Sequence, residues 1–129
     1  MPISPQLRVL CVDDDEDSRQ MLVALLSDAQ IEAKAVGSAA QAMTLIQAER
    51  FDLYMLDAWL PDLDGFDLCR QLRNLEPDAP IMFFSGAAYE SDKRKGLEAG
   101  ANAYVVKPGI PALLDSISQF VPYANSAAA

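Results

Sequence analysis

Five residues with usable chemistry stand at the ends of short apolar runs. Asp13 and Asp14 follow LRVLCV (7–12), Asp57 follows LYML (53–56), Ser85 follows IMFF (81–84) and Lys107 follows YVV (104–106). Carboxylates crowded together raise one another's pKa unless a positive charge sits among them. An oxygen-seeking divalent cation such as Mg²⁺ suits that place, held by one or two carboxylates plus waters and phosphate oxygens. Lys107 adds an ammonium and Ser85 a hydroxyl. Each feature alone has a plain reading. An acid run before a helix is a solvated N-terminus favouring the helix dipole, and Asp15, Glu16 and Asp17 read that way here. A lone aspartate is a cap, Ser-Gly a turn, Lys-Pro a loop. Their recurrence at matching run ends argues for one site.

The elements that must position them follow from the hydrophobic period. Nearly unbroken apolar runs of three to six residues suit strands buried on both faces. Ile31 to Val36 alternates instead, with Glu32 and Lys34 on one side, as an edge strand does. Between the runs the period becomes helical. Met21, Leu22, Leu25, Leu26 and Ala29 form a stripe behind the candidate caps Asp17 and Ser18, and Ser38 with Gln41 matches a capping box ahead of Ala42, Leu45 and Ile46. Phe66, Cys69 and Leu72 form a third stripe. Leu113, Leu114, Ile117 and Phe120 form the last, with Pro111 suited to its first turn. Tyr89 to Ala99 differs: Leu97, its one large aliphatic residue, is a thin anchor, so it reads as a weakly anchored helix ended by Gly100. Lys93, Arg94 and Lys95 read as a solvated face ahead of a partner-docking patch. Five alternations of strand and helix predict an α/β fold, a single doubly wound, five-stranded parallel sheet covered on both faces. The common order 2-1-3-4-5 puts a switch point between the first and third strands, where ligands bind at the carboxyl ends. The acids lie there.

Composition narrows the chemistry. The 129 residues carry 10 basic and 19 acidic side chains, a net charge of −9, with two cysteines and no histidine. Without histidine there is no Ser-His or Cys-His pair, no His-based zinc site and no phosphohistidine on this chain. The acid excess is read as excluding direct nucleic-acid binding, which needs Lys and Arg against phosphates. Cys11 and Cys69 lie apart in apolar segments and read as small buried hydrophobes. MPISPQLRV lacks the form of a signal peptide and no apolar run spans a bilayer, so a cytoplasmic setting without membrane contact is expected.

The pieces VDDDEDSR (12–19), LDAWLPDLDG (56–65), FFSGA (83–87) and YVVKP (104–108) resemble the receiver domain of two-component response regulators, the CheY-like superfamily with its flavodoxin-like fold. The likeness runs in order from about Leu7 to Val121. It implies one receiver domain over 1–129, with a core of about 7–121 and a tail or linker stub at 122–129. Asp57 would be the phosphoacceptor, taking a phosphoryl group from a histidine of a sensor histidine kinase or histidine phosphotransfer protein. Mg²⁺ would be held by Asp14, Asp57 and the backbone carbonyl of Trp59, with Asp13 acting through a water. Lys107 would pair with Asp57 and then with a phosphoryl oxygen. Ser85 would bond the phosphoryl group in the active state, Tyr104 would swing inward as that hydroxyl moves, and the bond before Pro108 would be cis. Such a domain takes part in its own phosphorylation, turns over no outside substrate, and signals to a downstream protein target.

Gly109 stands where the family often has a large apolar residue, so a looser loop into the last helix is expected. The alternative function is a receiver-like interaction module that works without phosphorylation. A phosphohydrolase with an aspartate nucleophile would want an acid at position 59, which is tryptophan. A flavin carrier would want backbone donors free of negative charge after the first strand.

Overall fold

In the computed structural model, which describes residues 7–120, strands and helices alternate along the chain. They are β1 (Arg8–Val12), α1 (Glu16–Asp28), β2 (Glu32–Val36), α2 (Ala39–Ala48), β3 (Leu53–Leu56), α3 (Gly65–Leu75), β4 (Ile81–Ser85), α4 (Glu90–Glu98), β5 (Ala103–Val106) and α5 (Ile110–Phe120). The sheet is parallel with order β2-β1-β3-β4-β5, as the pattern predicted. The tail at 122–129 lies outside the described residues.

Each central strand feeds two cores because its successive side chains point to opposite faces. Leu10, Val12, Tyr54, Leu56, Ile81 and Phe83 pack on one face with Ala42 of α2 and Phe66, Leu68 and Leu72 of α3. Val9, Cys11, Leu53, Met55, Met82 and Phe84 pack on the other with Leu22 and Leu26 of α1 and Leu113 and Ile117 of α5. Full burial of such a side chain contributes about 1.5–3 kcal/mol, which makes these strands the stiff part of the molecule. The edge strand β2 is only partly buried, in line with its alternation. Cys11 and Cys69 are both buried and free, one in each core.

Helix caps and anchors fall at or near the positions that the local pattern indicates. The cap of α1 is Asp15, whose carboxylate accepts from the Ser18 N–H at 2.9 Å, rather than Asp17 or Ser18. Ser38 caps α2 by accepting from Gln41 N–H, but the Gln41 amide reaches back to Gly37 N–H instead of closing the box on Ser38. Leu97, the expected anchor of α4, is 51% exposed, and the buried residue of that helix is Gly96. The loop after Pro108 is not loose: Gly109 N–H bonds the Val106 carbonyl at 3.0 Å, and its own carbonyl accepts from Leu113 at 2.9 Å. A Cβ at Gly109 would lie 2.9 Å from the Val106 carbonyl oxygen, so close backbone approach explains the glycine.

Candidate functional site

The parallel register brings the carboxyl ends of β1, β3, β4 and β5 to one rim. Asp13 N–H bonds the Val36 carbonyl at 3.0 Å and Asp57 N–H bonds the Val12 carbonyl at 2.9 Å, so the first residue past each strand still follows the ladder. This holds both acids at the switch point, 2% and 6% exposed, while Asp14 faces solvent. One carboxylate oxygen from each of Asp13, Asp14 and Asp57 lies within 4.8 Å of the others.

Lys107 sits among them. Its Nζ donates to Asp13 Oδ2 at 2.6 Å and to Asp57 Oδ2 at 3.2 Å. The Ser85 hydroxyl, fully buried, donates to Asp57 Oδ1 at 2.8 Å and accepts from the N–H groups of Ala58 and Ala87 at 3.3 and 3.2 Å. Trp59 N–H adds a bond to Asp57 Oδ1 at 3.2 Å, and Trp59 as a residue is 62% exposed. Both oxygens of Asp13 are occupied, since Oδ1 accepts from Asp15 N–H at 3.0 Å. Burial pushes the Asp13 pKa up, against the pull of Lys107. Burial would lower the Lys107 pKa, but the bond to Asp13 and the charges of Asp57 and Asp13 outweigh it, and the net direction is up. The ammonium between two poorly solvated carboxylates thus gains from both neighbours, whereas for Asp13 it only offsets part of the effect of burial.

Three carboxylates and one ammonium leave two formal negative charges, which a divalent cation would balance. The oxygen-only donor set is the kind Mg²⁺ prefers. The geometry therefore fits such an ion, with the exposed Asp14 as its most accessible carboxylate.

The five rim residues singled out from sequence thus converge, and two neighbours join them. Tyr104 turns inward: its hydroxyl donates to the Ala87 carbonyl at 2.6 Å and its ring stacks on Phe83 with centroids 5.4 Å apart. The Lys107–Pro108 bond is cis. Gly86 faces open space, since a Cβ there would meet nothing within 4 Å.

Other supports were not apparent from the sequence. Arg19 donates from Nη1 to the Asp13 carbonyl at 2.9 Å and ties α1 to the acidic turn. Asp62, in the loop after β3, accepts from Ala39 and Ala40 N–H at 3.0 and 2.9 Å, and those bonds lower its pKa. Gly65 lets the start of α3 lie against β3; a Cβ there would come 2.0 Å from the Asp57 carbonyl oxygen. Asp64-Gly65 ahead of the Phe66 stripe carried a helix-start signal. Nothing in the pattern marked Arg19 or Asp62.

The model of the response regulator receiver domain family matches residues 9–118. The chain is 38% identical over 104 residues to the DNA-binding response regulator MtrA of Mycolicibacterium smegmatis, covering 81% of this chain and 45% of that protein. It is 37% identical over 109 residues to the probable transcriptional regulator ycf27 of Cyanophora paradoxa, covering 84% and 45%. Among solved structures it matches the CheY-like response regulator receiver domain protein from Methanospirillum hungatei, with a TM-score of 0.86, 28% identity, and coverage of 95% and 98%. The chain belongs to the response regulator receiver family of two-component signalling.

It spans about 45% of the length of the first curated relatives it matches. That corrects the exclusion of nucleic acid drawn from the charge. Relatives bear the name DNA-binding response regulator, and an argument from the acidity of this stretch does not reach what a longer regulator binds. Among the described residues, no helix is long and apolar enough to cross a membrane.

Proposed function

We propose that this receiver accepts a phosphoryl group on Asp57 from a phosphohistidine of a sensor histidine kinase or histidine phosphotransfer protein and switches its surface for a protein target. In that transfer an Asp57 carboxylate oxygen forms the new O–P bond as the P–N bond of the donor breaks, and the electron pair leaves with the imidazole. The observation that carries this reading is the placement of Lys107 Nζ between Asp13 and Asp57, with Ser85 Oγ 2.8 Å from Asp57. Phosphoryl transfer asks mainly for positioning and charge neutralisation, and these groups are set for both.

Asp14, Asp57 and the Trp59 carbonyl would hold Mg²⁺, with Asp13 reaching it through a water. When bound, the ion would offset charge on the transferring oxygens. Lys107 orients Asp57 and is placed to meet a phosphoryl oxygen once the carboxylate becomes an acyl phosphate. Ser85 would then exchange its bond to Asp57 for one to the phosphoryl group. The open space beside Gly86 would admit that group. Ser85 also holds Ala87 N–H, and the Ala87 carbonyl holds Tyr104, so a shift of the hydroxyl is felt at the aromatic ring.

Trp59 is the chain's one tryptophan and lies two residues from Asp57, which makes its fluorescence a reporter. Millimolar Mg²⁺ should change it, and acetyl phosphate or beryllofluoride should change it again. Asp57→Asn should abolish the second response and leave the circular dichroism intact. A folded protein silent to both additions would refute the phosphoacceptor reading and favour a module that works by contact alone.

A further inference from the structure

We propose that Gly96 is the seat of Tyr104: its missing side chain leaves the slot in α4 that the ring fills when turned inward, making this glycine a positioning residue of the switch. The inference deepens the phosphoryl reading above and rests on it.

Glycine weakens a helix interior, so a buried one inside α4 calls for a packing reason. The reason is on β5. A Cβ built on Gly96 would lie 2.8 Å from Tyr104 Cδ2, 3.1 Å from Tyr104 Cε2 and 3.1 Å from Phe83 Cδ2. On its inner side the ring is stacked on Phe83, which is fully buried in the sheet, so a methyl at Gly96 would drive the ring outward. Its hydroxyl is fixed to the Ala87 carbonyl. A continuous series of contacts therefore leads from Asp57 through Ser85, Ala87 and Tyr104 to the backbone of α4 at Gly96.

The far end of α4 is pinned. Arg73 donates from Nε and Nη2 to the Gly100 carbonyl at 3.1 and 2.7 Å, and from Nη2 to Asn102 Oδ1 at 3.0 Å. The near end, from Tyr89 to Asp92, is exposed except for a half-buried Asp92, which bonds Tyr89 N–H within its own turn. Tyr104 under Gly96 thus bears on a helix fixed at its C-terminal end, and the N-terminal turn is the part free to follow the ring.

The test uses the full chain carrying Gly96→Ala, read by Trp59 fluorescence. Mg²⁺ affinity should stay within about twofold of wild type, as for independent sites. Beryllofluoride affinity in saturating Mg²⁺ should fall about tenfold, the effect of one methyl forced into a filled core. In a Tyr104→Ala background, where the ring is gone, the same substitution should change beryllofluoride affinity by no more than about twofold. An unchanged affinity in the single variant, an equal loss in both backgrounds, or a parallel loss of Mg²⁺ affinity would overturn the proposal. If the single variant does not fold, recovery of folding in the Tyr104→Ala background supports the seat, and failure to recover overturns it. A wild-type protein silent to beryllofluoride would instead remove the phosphoryl reading itself, and the seat with it.

Discussion

Replacing Lys107 with alanine removes the one ammonium from between two poorly solvated carboxylates. The Lys107 side chain is 22% exposed, against 3% and 9% for Asp13 and Asp57. Deleting one partner of a buried ion pair costs about 3–5 kcal/mol, because the other charge is left uncompensated. Lys107 reaches solvent, so the lower end is expected: about 3 kcal/mol in EDTA, which lowers Tm by on the order of 10 °C for a chain of this size. Mg²⁺ supplies the missing charge without competition from an ammonium. It should bind the variant more tightly than wild type and close roughly half the gap or more, since a ligand stabilises in proportion to the logarithm of its occupancy. Thermal denaturation of both proteins, in EDTA and in millimolar Mg²⁺, tests this. Equal melting in EDTA, or a larger Mg²⁺ stabilisation of wild type than of the variant, would refute the shared-charge reasoning. The pH dependence has a definite sign. The Lys107 pKa is raised on folding, so its contribution is complete below the ordinary lysine value and is lost as pH rises through the raised one. The Asp13 pKa is also raised, so its ionisation costs the fold stability above the ordinary aspartate value. That cost is relieved as pH falls through the raised one. The deficit of Lys107→Ala should therefore be greatest near neutrality and shrink toward both extremes.

Gly65→Ala forces a Cβ to within 2.0 Å of the Asp57 carbonyl oxygen, a backbone atom that cannot step aside, and should cost about 2 kcal/mol or more. An unchanged urea midpoint would show that the α3 start relaxes freely. Glu49→Gln should destabilise the protein at neutral pH and match wild type in acid. Hydrogen bonds from Lys34 and Arg8 hold this carboxylate below the ordinary glutamate range, so its contribution is present above that range and lost as pH falls through the depressed value. Parallel acid-unfolding curves would contradict this. Burial pushes Cys11 up to about 12 and Cys69 up to about 11. Neither thiol should react with an aromatic disulfide reagent at mildly alkaline pH until the protein is unfolded, and rapid labelling of the native state would contradict that burial.

The strands were legible because a central parallel strand is buried on both faces, so LRVLCV, LYML and IMFF needed no partner to be recognised. The edge position of β2 was legible for the converse reason, since none of its residues is fully buried. The cap of α1 lies two or three residues before the candidates Asp17 and Ser18 because DDDED offers several equivalent caps, and only the exit of the chain from β1 selects Asp15. The anchor of α4 was misread because a hydrophobic stripe is judged by large side chains. There a glycine is buried under an aromatic ring from β5, and the leucine beside it faces out. The exclusion of nucleic acid failed for a different reason: net charge describes the residues counted, and relatives of about twice this length carry a DNA-binding name.

By itself the sequence determined which residues end the strands, that they are acids, a hydroxyl and an ammonium, and that no histidine on this chain can carry a phosphoryl group. Those are properties of local pattern and composition. Tertiary structure alone decided which atoms meet. Lys107 divides its bonds between Asp13, 94 residues away, and Asp57, 50 residues away; Arg19 holds the Asp13 carbonyl; Gly96 makes room for Tyr104. Such contacts depend on register and on close packing of groups distant in the chain, and side-chain period carries information only along one element.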